Sequence, residues 1–261
     1  MRLIILAAGR GTRLSPHTDG RPKCMVELAG RPLIEWHLRA ARAADITDIA
    51  VVTGYCGEQI AFPGISVVKN PEFATTNMVY SLWCARHLFE DDFVLGYGDI
   101  LYNPPVLKAL SLSVDPITVV IDRQWRSYWT QRSDDVLADA ESLRLDLQGR
   151  ITDIGQKVEH IEEIQGQYIG LMRFQGLGVR ALEDLLQQQF EAHLAGGQGP
   201  HPKRNFAQLY MTDVLQELIG RGQPLHSLPI DGEWLEIDNS ADLRLAGAIV
   251  RPSAEHLVIS R

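Results

Sequence analysis

The sequence predicts an α/β fold, a mostly parallel central sheet with helices on both faces. Three observations lead there. Short apolar runs alternate with amphipathic stretches, the order produced when parallel strands are joined by crossover helices. The runs are apolar throughout, as buried strands are. A length of 261 residues with 45% hydrophobic content suits one domain with a large core.

Taken in order, residues 3–7 read as the first strand. Residues 32–44 read as a helix, with Leu33, Trp36, Ala40 and Ala44 at helical spacing. Strands follow at 49–53 and 65–68. Thr75 or Thr76 then caps a helix running from 78 to 89. A strand at 93–97, a helix at 105–112 and a strand at 117–121 continue the alternation. From 122 to about 167 the chain turns polar and aromatic, with short strand-like pieces. This stretch reads as an insertion subdomain covering a site, within a single domain spanning 1–261. Beyond it come a strand (168–174), a helix (179–193), a Gly/Pro loop (195–204), a helix (206–221), a strand (234–237) and a closing helix (240–249). The tail from Arg251 reads as disordered or as a contact to a second copy in a homodimer.

Chemistry enters with the loop after the first strand, Gly9-Arg10-Gly11-Thr12-Arg13-Leu14, followed by Pro22-Lys23. Glycines let the backbone approach phosphate oxygens, exposed N–H groups donate to them, and two cations neutralise the remainder. The loop therefore suits a polyphosphate. A dinucleotide fingerprint requires a third glycine where this chain has Thr12, Arg13 and Leu14, and no G-x-x-x-x-G-K-[ST] run exists. In open α/β sheets ligands sit beyond the carboxyl ends of the strands. Asp99 and Asp238 fall at such ends, where paired carboxylates serve to hold Mg²⁺.

The string Leu6-Ala7-Ala8-Gly9-x-Gly11-Thr12-Arg13-Leu14 with Pro22-Lys23 resembles the signature of the nucleotidyltransferases that activate sugar phosphates and choline phosphate. Tyr80-Ser81-Leu82, Gly98-Asp99, residues 210–214 and residues 234–239 fall where that family has comparable pieces. Small bacterial choline-phosphate cytidylyltransferases and their phosphonate-activating relatives are the nearest likeness. The resemblance implies a Rossmann-like nucleotidyltransferase fold and a magnesium ion held by Asp99 and Asp238. Leu6, Ala7, Ala8, Gly9, Gly11, Thr12 and Gly98 would bind the nucleotide, with Asn77 and Ser81 near the base. Arg13 would hold the β- and γ-phosphates and Lys23 the α-phosphate. Lys157 resembles a lysine that contacts the acceptor phosphate in sugar-phosphate relatives.

The implied reaction is transfer of a nucleotidyl group to a small phosphorylated or phosphonate acceptor such as phosphocholine or 2-aminoethylphosphonate. CTP is favoured by the likeness alone, because one carbonyl or amide distinguishes cytosine from uracil. A sugar or polyol phosphate with another nucleoside triphosphate, and a silent nucleotide-sensing protein, are the alternatives. Trp125, Tyr128 and Trp129, followed by Asp134, Asp135, Asp139 and Glu141, suit a cationic head group or form an ordinary aromatic core with an acidic rim. Trp234 and Glu236 are further acceptor candidates, whereas Asp213 reads as structural. A net charge of −8 argues against a nucleic-acid partner. No run is long enough to enter a membrane. Cys24, Cys56 and Cys84, widely spaced, suit a reducing cytoplasm. His37, His87, His193 and His226 read as helix-surface or loop residues.

Overall fold

The computed structural model describes residues 1–133, 135–138, 140–197, 204–253 and 256–260. Strand β1 (Arg2–Ala7) leads to a hairpin of β2 (Glu27–Leu28) and β3 (Arg31–Pro32), then helix α1 (Leu33–Ala43). Next come β4 (Asp48–Thr53), β5 (Ile65–Lys69), α2 (Met78–Cys84), β6 (Asp92–Tyr97), β7 (Ile100–Tyr102), α3 (Pro104–Ser111) and β8 (Ile117–Asp122). The remainder is α4 (Trp125–Arg132), β9 (Glu141–Leu145), β10 (Arg150–Lys157), β11 (Gln167–Gln175), α5 (Leu177–Leu194), α6 (Met211–Gly220), β12 (Leu225–Ile230), β13 (Trp234–Glu236), α7 (Ser240–Ile249), β14 (Arg251–Pro252) and β15 (Leu257–Val258).

The main sheet has the order β5-β4-β1-β6-β11-β8-β12-β10-β9. Strands β5, β4, β1, β6, β8, β12 and β9 run one way; β11 and β10 run the other. The sheet is thus mostly parallel, with an antiparallel strand in its middle. Both faces are covered. Leu3, Ile5 and Ala7 of β1 pack into one core layer, and Ile4 and Leu6 pack into the other. A strand buried on both sides must be apolar at every position, which is why these runs show no alternation.

Several elements differ from the sequence expectation. Helix α2 ends at Cys84, and a 3-10 turn follows at Arg86–Leu88. Arg86 folds back over the Trp83 ring at 4.3 Å and donates to the Trp83 carbonyl, satisfying a group that a longer helix would have used. Its N-cap is Asn77, not a threonine; Thr76 Oγ1 donates instead to the Glu72 carbonyl. The helix expected from 206 starts at Met211, because the Tyr210 N–H is taken by the Asp213 carboxylate in a capping box. That gives Asp213 its structural role. Within the insertion, Trp125–Arg132 is a helix, and β9 and β10 extend the main sheet. Strand β12, with Pro229 inside it, was not expected. His37 is buried at 1% exposure against Tyr102 instead of lying on the helix surface. The tail also folds onto its own chain: Asn103 donates to the Ile259 carbonyl and accepts from its N–H, burying Leu257 and Ile259. Asp134 and Asp139 lie outside the described residues, as does 198–203 of the Gly/Pro loop. Among the described residues no helix is long and apolar enough to cross a membrane.

Candidate active site

Strand β1 delivers the glycine loop to the carboxyl edge of the sheet. Gly11 has φ +68°, and a Cβ there would lie 2.9 Å from Cβ and Cγ of Lys23. Glycine is therefore required twice, for its left-handed backbone and for room beside the lysine stem. Pro22 precedes a short 3-10 turn, Lys23–Met25, that sends the Lys23 side chain inward, leaving it 14% exposed. Its ammonium donates to Asp99 Oδ2 and to Asp238 Oδ1, each at 2.6 Å.

Two different devices bring those carboxylates together. Asp99 follows β6, where the Gly98 N–H donates to the Leu6 carbonyl; a Cβ on Gly98 would sit 2.9 Å from that of Ala7. Strand β13 lies outside the main sheet and pairs antiparallel with β7, setting Glu236 opposite Ile100. The Ile237 N–H then donates to the Asp99 carbonyl at 2.9 Å. Carboxylate oxygens of Asp99, Glu236 and Asp238 consequently fall within 4.8 Å of one another. Arg13, 67% exposed, reaches Asp238 Oδ2 at 3.2 Å.

Burial opposes the charge on Lys23, but Asp99 and Asp238 outweigh it and hold its pKa above the usual lysine value. Burial likewise works against the Asp238 carboxylate, and the neighbouring cations, Lys23 first, pull its pKa below the usual range. Glu236 goes the other way: burial, then the charge of Asp238, pushes its pKa up. The three carboxylates crowd together, and Lys23, Arg13 and Arg132 reach them. Hard oxygen donors this close, with an ammonium already bridging two of them, form a donor set that fits Mg²⁺.

Two cavities meet at this cluster. The first, about 180 Å³, is lined by Leu6, Ala8, Gly9, Asn77, Ser81 and Asp99 among others. The second, about 220 Å³, is lined by Trp129, Glu141, Gln167, Trp234, Glu236 and Asp238 among others. Met78 and Tyr97 border both. Ala7 at the end of β1, Gly98 after β6, and Gly11 and Thr12 of the loop do not line the first cavity. Lys157 is exposed at the end of β10, in register with Glu141, and Trp125 packs edge-on against Trp129 at 4% exposure; neither lines the second cavity. Trp125 and Trp129, four residues apart on one helix face, are both buried, and of the two it is Trp129 that lines the cavity. Arg10 lies over the Tyr55 ring at 5.1 Å, away from the cluster.

Sequence reasoning did not single out three contributors, although Asn70 opens the stretch 70–81 expected near the base. Arg132 of α4 pairs with Glu236 at 2.6 Å and with Asp242 at 3.0 Å. Its spacing of three from Trp129 would have marked it, had α4 been recognised as a helix. Asn70 is buried and donates to Thr76 Oγ1 and Ser81 Oγ, fixing the wall of the first cavity. Tyr97 hydrogen-bonds Tyr168 at 3.1 Å where the cavities adjoin.

A glycine turn, buried cations and a carboxylate cluster at the carboxyl edge of a mostly parallel sheet define a nucleotidyltransferase. The chain belongs to the MobA-like NTP transferase family, whose domain model matches residues 3–150. It is 33% identical to CTP:phosphoglutamine cytidylyltransferase of Campylobacter jejuni, over 94% of this chain and 98% of that protein. It is 27% identical to CMP-5'-(3-aminopropyl)phosphonate synthase of Streptomyces rubellomurinus, spanning 98% of this chain and 40% of that one. The fold resembles that of CTP:phosphocholine cytidylyltransferase from Streptococcus pneumoniae, with a TM-score of 0.73, 21% identity and coverage of 95% of this chain and 98% of that one.

Proposed function

We propose that this chain transfers a cytidylyl group from CTP to a small, amine-bearing phosphate or phosphonate, releasing pyrophosphate, and that it depends on Mg²⁺. The observation that carries the reading is the cluster of Lys23, Asp99, Glu236 and Asp238 at the meeting of two cavities. The first cavity takes the nucleotide and the second the acceptor.

An anionic oxygen of the acceptor forms a bond to the α-phosphorus. The bond from that phosphorus to the oxygen bridging to the β-phosphorus breaks, and pyrophosphate departs with the electron pair. The nucleophile is already ionised near neutral pH, so no general base is required. Catalysis is then alignment and charge neutralisation. Lys23 neutralises the α-phosphate, Arg13 the departing phosphates, and Tyr97 and Met78 separate the two substrates. Asp99, Asp238 and Glu236 would hold Mg²⁺, which supplies positive charge to phosphate oxygens.

The second cavity supports a cationic far end on the acceptor. Its lining carries Glu141, Glu236 and Asp238 beside the rings of Trp129 and Trp234, and no lysine or arginine among the described residues. Carboxylates and aromatic faces bind ammonium groups. The relatives named above are cytidylyl enzymes for phosphorus acceptors that also carry nitrogen, which supports both CTP and the amine.

Pyrophosphate release across four nucleoside triphosphates and a panel of acceptors tests the proposal. Phosphocholine, 2-aminoethylphosphonate, phosphoglutamine, inositol 1-phosphate and glucose 1-phosphate make up the panel. Turnover with CTP and a nitrogen-bearing acceptor is expected. Preference for a sugar or polyol phosphate would overturn the acceptor class, and nucleotide binding without turnover would overturn catalysis.

A further inference from the structure

We infer that Arg132 is a positioning residue that holds Glu236 and Asp238 in the arrangement a divalent cation needs; this rests on the metal reading above. Arg132 lines neither cavity and touches no substrate space. Its side chain is 6% exposed, and its guanidinium is engaged on every edge. Nε and Nη2 grip the two oxygens of Asp242 at 3.0 and 3.2 Å, and Nη1 donates to Glu236 Oε2 at 2.6 Å. Nη2 also stands 3.7 Å from Asp238 Oδ2.

Asp242 relays the grip to the backbone. Its Oδ2 accepts the N–H groups of Asp238 and Asn239 at 2.9 and 3.1 Å. One planar fork thus fixes the Glu236 side chain and the main chain that carries Asp238. The fork is itself clamped, because the Tyr128 and Trp129 rings lie 5.3 and 5.2 Å from its carbon. Trp129 is in turn a wall of the second cavity. Tyr128 closes the loop: it accepts the Glu236 N–H at 2.9 Å and donates to the Glu236 carbonyl. Arg132 therefore ties helix α4, the acceptor wall and the carboxylate cluster into one unit. Arginine suits the task because its donors are pre-set in a plane, a geometry that lysine lacks.

Charge and geometry make opposite forecasts. A cation beside Asp238 repels a metal ion, so loss of charge alone would tighten metal binding. Loss of the grip lets Glu236 and the 236–238 segment wander, which loosens it. The experiment is a Mn²⁺ titration followed by electron paramagnetic resonance on the full chain, with saturating CTP. Wild type, Arg132→Met, Arg132→Lys and Asp99→Asn are compared, with near-ultraviolet circular dichroism reporting the tryptophan packing.

Arg132→Met is expected to weaken Mn²⁺ binding about 10- to 100-fold, as loss of a group orienting metal ligands does. Arg132→Lys keeps the charge and is expected to weaken it at least about tenfold as well. In steady state, kcat should fall by a similar factor while the KM for CTP stays nearly constant. Mn²⁺ binding by Arg132→Met equal to or tighter than wild type overturns the inference, and so does full restoration by Arg132→Lys. If Arg132→Met fails to fold, Arg132→Lys decides. Wild type binding no Mn²⁺, or Asp99→Asn binding it normally, would sink the metal reading itself.

Discussion

Replacing Lys23 with methionine tests the central electrostatic arrangement. Methionine keeps an unbranched stem beside Gly11 and removes only the ammonium. Two ion pairs of 2.6 Å then vanish, and Asp99 and Asp238 face each other and Glu236 without their bridging cation. Removing one partner of a buried pair costs about 3–5 kcal/mol. The side chains are 14%, 24% and 11% exposed, so water screens part of this and the lower end, about 3 kcal/mol, is expected. That is a large share of a typical folding free energy of about 5–15 kcal/mol. A divalent cation in the same place would restore much of it: at a hundred times its Kd, Mg²⁺ adds about 2.7 kcal/mol. Catalysis should not recover, since the charge beside the α-phosphate is gone; kcat should fall about 100- to 1,000-fold. Urea melts with EDTA and with Mg²⁺, paired with pyrophosphate-release kinetics, read both quantities. A kcat within tenfold of wild type, or an EDTA-destabilised variant that Mg²⁺ leaves unchanged, would refute the reasoning.

Other outcomes are expected from the same geometry. Asp99→Ala and Asp238→Ala should abolish turnover while the chain stays folded, as read by circular dichroism beside the activity assay; near-native rates at limiting Mg²⁺ would contradict the metal assignment. Trp129→Ala should raise the acceptor KM more than the CTP KM, because Trp129 lines only the second cavity; equal rises would show a packing role alone. His37 introduces a pH dependence of stability. Burial lowers its pKa to about 4, against about 6.5 when unfolded, with the charge of Asp99 pulling weakly the other way. Between those values the unfolded chain binds the extra proton, so stability is complete above pH 6.5 and falls as pH drops toward 4, by about 3 kcal/mol at most. His37→Phe should flatten that difference in denaturant melts from pH 7 to 4.5; parallel curves for the two proteins would contradict it.

Much of this was legible from local pattern. The apolar run before Gly9 declared a strand buried on both faces; Gly11, Arg13 and Lys23 read as an anion site, and the structure gathers the two cations at Asp238. The aspartates at 99 and 238 were expected at strand ends, and the structure brings both to the Lys23 ammonium, although the strand before Asp238 belongs to a small ladder outside the main sheet. The acceptor side was less legible. Trp125 and Trp129 look equivalent in sequence, yet packing leaves only the second beside the cavity. Glu236 read as an acceptor contact; it lines the second cavity, and the β7–β13 ladder also groups it with the aspartates.

Sequence alone pointed to a polyphosphate loop on a buried strand, because strand burial, glycine backbone freedom and cations suited to phosphate are written in nearby residues, and the family resemblance of that stretch supplied the class of chemistry. Tertiary structure decided which side chains act together. Lys23, Asp99, Arg132 and Glu236 come from four separate segments, and their convergence depends on the β7–β13 pairing, the docking of α4 and the Asp242 cap on α7. The contacts of Arg132 with Asp242 and Glu236 join residues about a hundred positions apart, beyond the reach of any helical or strand period.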